Sequence, residues 1–315
     1  MRTKLPEGYR MRPATPADVA QIQRLVAASE RALYGAVETD RDTIAADLAR
    51  PRLDPATDTT LVYDPAGDLA AWAWVDRRSV VDVHPGHRGR GLGAALLDWV
   101  GARAAEVGTD RVVQTVEESD EAAVALLRSR GYEPMVSSWL LGIELPAAPP
   151  AEPPAGITVR TFAAGDERDA HRVSEDAFDE WQERRRDYDE WSRTTVARAS
   201  FAPGCSPLAF AGDDLVGVVI STDEPGRDEG YVERVAVRAD QRGRGVARLL
   251  LATAFDRFHR LGRRGVTLWT HSDTGALDVY LKVGMSVRRT ATVFANYLEP
   301  AAGLEPAADR ERATG

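Results

Sequence analysis

Apolar residues along this chain recur with two periods, and the order in which those periods alternate is written twice. Near the N-terminus, Tyr9-Arg10-Met11-Arg12-Pro13 reads as a short strand, and TPADVAQIQRLV as a helix with apolar positions at i, i+3 and i+4. TLVYDPAGDLAAWAWV then sets two β-prone runs around Pro65-Ala66-Gly67-Asp68, a hairpin pattern. VVDVHPGHRGRGLGAALLDWV predicts a strand, an Arg/Gly loop and an amphipathic helix; RVVQTV, DEAAVALLRSRG and VSSWLLGIEL predict strand, helix and strand. From Ile157 the same order returns: ITVRT, AGDERDAHRV, PLAFAGDDLVGVVI, VERVAVRADQRGRGVARLLLATAF, GVTLWT, TGALDVYLKVG and TATVFANYL. One α/β unit with a mixed sheet is therefore present as two tandem copies.

Between them Pro146 to Gly156 reads PAAPPAEPPAG, which lacks ladder donors and favours extended geometry. The sequence thus predicts domains at 1–145 and 157–298, a proline-rich linker at 146–156, and a mobile tail at 299–315, where large apolar residues nearly vanish.

Length agrees, since 315 residues exceed the usual size of one core. With 43% hydrophobic and 28% charged residues both copies have material for a core. The 49 acidic against 40 basic side chains give a formal net charge of -9, which disfavours nucleic acid and anionic membrane as partners. One cysteine, Cys205, leaves no internal disulfide and no cysteine-rich metal site; it reads as a buried structural thiol in a reducing cytosol. No stretch approaches the roughly 18 apolar residues of a membrane span, and the N-terminus lacks the apolar core of a signal peptide, so a cytoplasmic protein is expected.

The two loops carry the first candidate chemistry. Arg88-Gly89-Arg90-Gly91-Leu92-Gly93 and Arg242-Gly243-Arg244-Gly245-Val246-Ala247 each follow a VxV strand and open a helix. Glycines permit positive φ there, free N–H groups and the helix dipole converge on one point, and the arginines add donors, an arrangement suited to a pyrophosphate. A dinucleotide fingerprint fits less well: Gly89 to Ala94 matches G-x-G-x-x-A, but the second copy reads G-x-G-x-x-R, and both loops follow antiparallel-looking strands.

At these residues the chain resembles the GCN5-related N-acetyltransferase family, whose hallmark [RQ]-x-x-G-x-[GA] after a VxV strand is met at Arg88 to Gly93 and Arg242 to Ala247. The resemblance implies a mixed sheet whose fourth and fifth strands splay apart, acetyl-CoA as co-substrate with its pantetheine in that gap, a pyrophosphate on the loop, a small-molecule amine as acceptor, and no metal. The fourth strands would be Val80-Val81-Asp82-Val83 and Glu233 to Val237, with Val81, Val83, Val235 and Val237 beside the cofactor. The tandem layout is similar to that of mycothiol synthase-type acetyltransferases, which act on a cysteinyl amino-sugar conjugate. Their fourth strand carries an acidic residue where this chain has Tyr231.

Acetyl transfer to an amine requires a proton acceptor and a donor to the departing thiolate. Strand alternation groups residues 231, 233, 235 and 237 on one face, which places Glu233 in the cleft as general base. Tyr280, four residues before Gly284, stands where the family has a tyrosine that donates to the CoA sulfur, and His271 closes the fifth strand as a possible relay. Segment Glu180 to Trp191, EWQERRRDYDEW, stands where the acceptor is covered; Glu180/Arg184 and Arg186/Glu190 have the i, i+4 spacing of a solvated helix. In the first copy Ser79 and Leu127 occupy the positions of Glu233 and Tyr280, so catalysis is expected in the second copy alone. The competing expectation is a non-catalytic acyl-CoA-binding or assembly protein.

Overall fold

The computed structural model describes residues 4–50, 52–76, 78–147, 152–179 and 184–298. The tail at 299–315, residues 148–151 of the proline-rich linker and residues 180–183 of the acceptor-side segment lie outside the described residues. The described residues form two compact units, one within 4–135 with 291–298 and the other within 136–290.

The first unit runs β1 (Arg10–Arg12), α1 (Val19–Tyr34), α2 (Arg41–Leu48), α3 (Pro55–Asp58), β2 (Thr59–Tyr63), β3 (Leu69–Val75), β4 (Ser79–Val83), α4 (Leu92–Glu106), β5 (Arg111–Glu117) and α5 (Glu121–Ser129). Strands β1 to β4 form an antiparallel meander. LAAWAWV of β3 is buried on both faces: Ala71, Ala73 and Val75 pack with Leu92, Leu96 and Val100 of α4, while Trp72 and Trp74 pack with Ile22 and Leu25 of α1 and Ile44 of α2. That is why the strand is apolar throughout instead of alternating.

The second unit runs β6 (Glu133–Glu144, from Val136 onward), β7 (Ile157–Thr161), α6 (Glu167–Phe178), α7 (Tyr188–Thr194), β8 (Pro207–Ala211), β9 (Asp214–Thr222), β10 (Glu229–Val237), α8 (Val246–Arg260), β11 (Gly265–His271), α9 (Leu277–Lys282) and the start of β12 (Ser286–Tyr297). Strands β7 to β10 form the matching meander, β11 runs parallel to β10, and β6 runs antiparallel to β11. Val216 and Val219 of β9 pack towards Leu250, Phe255 and Phe258 of α8; Leu215, Val218 and Ile220 pack towards Val173 of α6 and Trp191 of α7.

The repeat extends to single side chains. Arg12 grips Asp18 with paired bonds of 2.8 and 2.7 Å and also donates to the Pro13 carbonyl. Arg160 grips Asp166 at 2.6 and 2.7 Å and donates to the Thr161 carbonyl. The clasps fix β1 and β7 to the helices that follow them, and the facing guanidinium holds each aspartate below the usual carboxylate range. Closing strands cross over between the halves of the sequence: Ser138–Glu144 of β6 pairs with β11 in the second unit, and Ala291–Tyr297 of β12 pairs with β5 in the first. Cys205 is a buried free thiol, pushed up to about 11 by desolvation. No helix among the described residues is long and apolar enough to cross a membrane.

Candidate functional site

Strands β10 and β11 pair only at Glu229, Gly230 and Tyr231, opposite Gly265, Val266 and Thr267. Beyond Tyr231 they part, and a cavity of about 770 Å³ lies along the wedge, lined by β10, the following loop, the start of α8, the end of β11, α9 and the last turn of α6. Against β9 the register shifts between Val232, opposite Ser221, and Arg234, opposite Ile220, so Glu233 is the extra residue of a bulge.

The bulge corrects the face expected for this strand. Val232, Val235 and Val237 all belong to the core under α8, whereas Ala236 belongs to the core under α6. Alternation is therefore even-numbered before Glu233 and odd-numbered after it, and the expected common face of residues 231 to 237 is broken. Glu233, the bulged residue, lines the cavity wall together with Val235 and Val237.

Arg242, Gly243, Arg244, Gly245, Val246 and Ala247 line the same cavity. Gly243 and Gly245 have φ of 75° and 88°, left-handed values that favour glycine. Gly245 is the N-cap of the 15-residue α8 and offers no side-chain cap, so the first N–H groups of the helix are available to a ligand. Arg242 is held by protein carbonyls, through Nε to Val237 and Nη2 to Ala177, 3.2 Å each, which ties the loop to α6. Arg244 donates to Gln241 and to the Ala155 carbonyl.

Tyr280 of α9 lines the cavity, and burial pushes its phenol up to about 12. Desolvation, with Glu233 nearby, also raises Tyr231. His271 lines the cavity at the end of β11, with its Nδ1 buried and without a hydrogen-bond partner. Glu233 is paired by the guanidinium of Arg198. Beside it on the wall stands Arg234, its guanidinium carbon 4.4 Å from the ring centre of Phe178, which also lines the cavity. Arg186 lies before α7 and binds Glu175 of α6, not Glu190; Glu190 is taken by Arg184 at 2.7 Å through both oxygens. The expected Arg186/Glu190 helix pair is thus replaced by a tether between α6 and the segment leading to α7.

In the first unit the loop has the same shape. Gly89 and Gly91 have φ of 73° and 84°, Gly91 caps α4 without a side-chain bond, and Arg88 has φ −63° and ψ 157° against −65° and 158° at Arg242. Arg88 lies 3.4 Å from Asp120, Arg90 reaches Tyr9, Leu92 is buried, Gly93 approaches Leu126, and Val81 and Val83 pack against the α4 core. Ser79 donates to the Val113 carbonyl at 2.8 Å and accepts from Gln114 at 2.7 Å, so a side chain joins β4 to β5. Strand β4 pairs with β3 without a bulge, so by register Ser79 matches Val232 and the expected Ser79/Glu233 equivalence is corrected: Glu233 is an inserted residue with no counterpart in the first unit. Leu127 is buried. Among the described residues no group of three or more His, Cys, Asp or Glu side chains could hold a metal ion.

The sequence reading missed Arg198, Arg234 and Phe178 in the second unit and Asp82 in the first. Asp82 accepts from Trp72 Nε1 at 3.1 Å and is pushed up to about 6 by desolvation. Arg234 was visible beside Glu233, but its contact with Phe178 of α6 at the cavity wall is set by the fold.

Comparison with known proteins gives a consistent picture. The model of the acetyltransferase (GNAT) family matches twice, at residues 42–132 and 170–285. A mycothiol acetyltransferase of Cellulomonas flavigena is 30% identical over 76% of this chain and 73% of its own length; one of Catenulispora acidiphila is 29% identical over 90% and 96%. A GCN5-related N-acetyltransferase from Sphaerobacter thermophilus superposes with TM-score 0.76 at 30% identity, covering 96% of this chain and 99% of that one. A tandem GNAT protein from the clavulanic acid biosynthesis pathway shares the fold, with TM-score 0.69 at 18% identity over 93% of this chain and 99% of that one.

Proposed function

The chain belongs to the GNAT acetyltransferase family and is an N-acetyltransferase, and from that premise we propose that its second unit moves the acetyl group of acetyl-CoA to a primary amine of a small molecule. The observation that carries the reading is that the uncapped Gly245 turn, Glu233 and Tyr280 line one and the same cavity. A pyrophosphate fits the Gly243 to Ala247 turn, where backbone N–H groups and the helix dipole meet, and the pantetheine fits beside Val235 and Val237. Bound there, acetyl-CoA supplies a thioester whose C–S bond breaks as the C–N bond to the amine forms.

Glu233 takes the proton that the amine nitrogen loses, and Arg198 holds its carboxylate in place. Tyr280 supplies a proton to sulfur. Its raised pKa keeps the phenol protonated throughout the working range, and the same desolvation raises the proton affinity of a thiolate beside it. For a neutral amine one N–H proton leaves and one S–H bond forms, so the products are the acetamide and free CoA. The first unit keeps the matching turn, with Arg88 to Gly93, Val81 and Val83 as a second candidate cofactor surface, but Ser79 and Leu127 provide neither base nor acid.

A second reading, a mycothiol-type acceptor, is favoured by the names of the relatives; Tyr231, in place of that group's acidic residue, weighs against it. The test is release of free thiol from acetyl-CoA by the purified chain across a panel of primary amines, with the acetylated product identified by mass. Thiol release that no amine stimulates would reject amine transfer.

A further inference from the structure

Resting on that reading, and going beyond it, we infer that the acceptor carries a carboxylate close to its amine, and that Arg234 is the residue that selects it. Among the described residues, the acceptor end of the cavity, where α6 meets the β10 bulge, has one lining carboxylate, Glu233, and Arg198 already pairs with it. Arg234 stands next to it on the same wall with no comparable partner. Its nearest acid, Glu175, lies 3.8 Å away and is engaged by Arg186, through the backbone N–H at 2.9 Å, Nε at 3.2 Å and Nη2 at 3.0 Å. Nη1 of Arg234 is buried without a hydrogen-bond partner.

Among the described residues, two carboxylates, Glu175 and Glu233, thus face three guanidiniums, those of Arg186, Arg198 and Arg234. A half-buried guanidinium left with an unused donor is costly unless an anion completes it. Stacking on Phe178 fixes the plane of the Arg234 group, so an incoming carboxylate meets a preset fork. Burial and the neighbouring Arg186 pull this guanidinium below its ordinary pKa, the direction that a bound anion would reverse. An acceptor with several ammonium groups would add positive charge to a wall that already carries an excess. An amino acid brings the missing negative charge along with its nucleophile.

The test compares matched conjugates in which CoA sulfur is joined through a –CH2–CO–NH– bridge to glycine, β-alanine or 4-aminobutyrate, and to methylamine, ethylamine or propylamine. Each acid differs from its partner only by the carboxylate. Calorimetry on the full chain is expected to show at least one acid conjugate binding about 10-fold or more tightly than its twin, the scale of a charge-assisted hydrogen bond. In Arg234→Met, which keeps an apolar stem against Phe178, the ratio should fall close to one, with the plain-amine conjugate as the reference within each variant. Equal affinities within every wild-type pair would overturn the inference and leave neutral acceptors, the mycothiol type among them. A ratio that survives Arg234→Met would overturn the role of Arg234. Failure of the plain-amine conjugates to compete with acetyl-CoA would reject the cavity reading itself, and this inference with it.

Discussion

Glu233 of β10 and Tyr280 of α9 line one cavity, and each is asked for one proton. Glu233→Gln and Tyr280→Phe keep shape and remove that function. Each is expected to lower kcat by about 10²- to 10⁴-fold while acetyl-CoA affinity, measured by calorimetry, changes little; wild-type turnover in both would remove them from the mechanism. Asp82 offers a test of desolvation in the first unit. Its folded pKa, about 6, is above the ordinary carboxylate value, so its contribution to stability is present below about pH 4 and is lost as pH rises through 6. Asp82→Asn should therefore raise Tm at pH 8, by an amount corresponding to about 3 kcal/mol or less, and the gain should shrink towards zero at pH 4. A gain independent of pH would contradict that account. At this scale the sequence pointed to Glu233, Tyr280 and the loop glycines Gly243 and Gly245 by residue type, spacing and family resemblance, and all of them line one cavity. Arg198 was not legible: it lies 35 residues from Glu233 outside any periodic element, and only the fold brings the two together.

Secondary structure was the most readable level, since each strand and helix around the cavity follows its apolar period. What the period hid was the bulge. A strict alternation of two puts Tyr231 with Val235 and Val237, and one inserted residue at Glu233 exchanges the faces while leaving the composition of the strand unchanged. Strand β10 also approaches α8 more closely than its sequence suggests: a Cβ on Gly230 would lie 2.2 Å from the ring of Phe258, which is fully buried. Gly230→Ala must displace that ring, and a loss of about 1–3 kcal/mol in unfolding free energy is expected from denaturant titration. An unchanged midpoint would mean that the strand is free to move away from the helix.

Two copies of one pattern were evident in the whole chain, and their likeness reaches the Arg12–Asp18 and Arg160–Asp166 clasps and the dihedral angles of both loops. The crossing of the closing strands was not evident. VSSWLLGIEL and TATVFANYL are both plainly β-prone, but hydrophobic alternation identifies a strand without naming the edge it joins, and each pairs in the unit that begins from the other half of the sequence. Equivalent loops with unequal surroundings make the division of labour testable in the intact chain. Gly91→Val and Gly245→Val place the same strained, branched residue at matching helix N-caps, one per unit. Thiol release from acetyl-CoA with a responsive amine is the measurement. The account predicts that Gly245→Val abolishes turnover while Gly91→Val retains most of it; turnover that survives Gly245→Val and is lost with Gly91→Val would place the reaction in the first unit and contradict it.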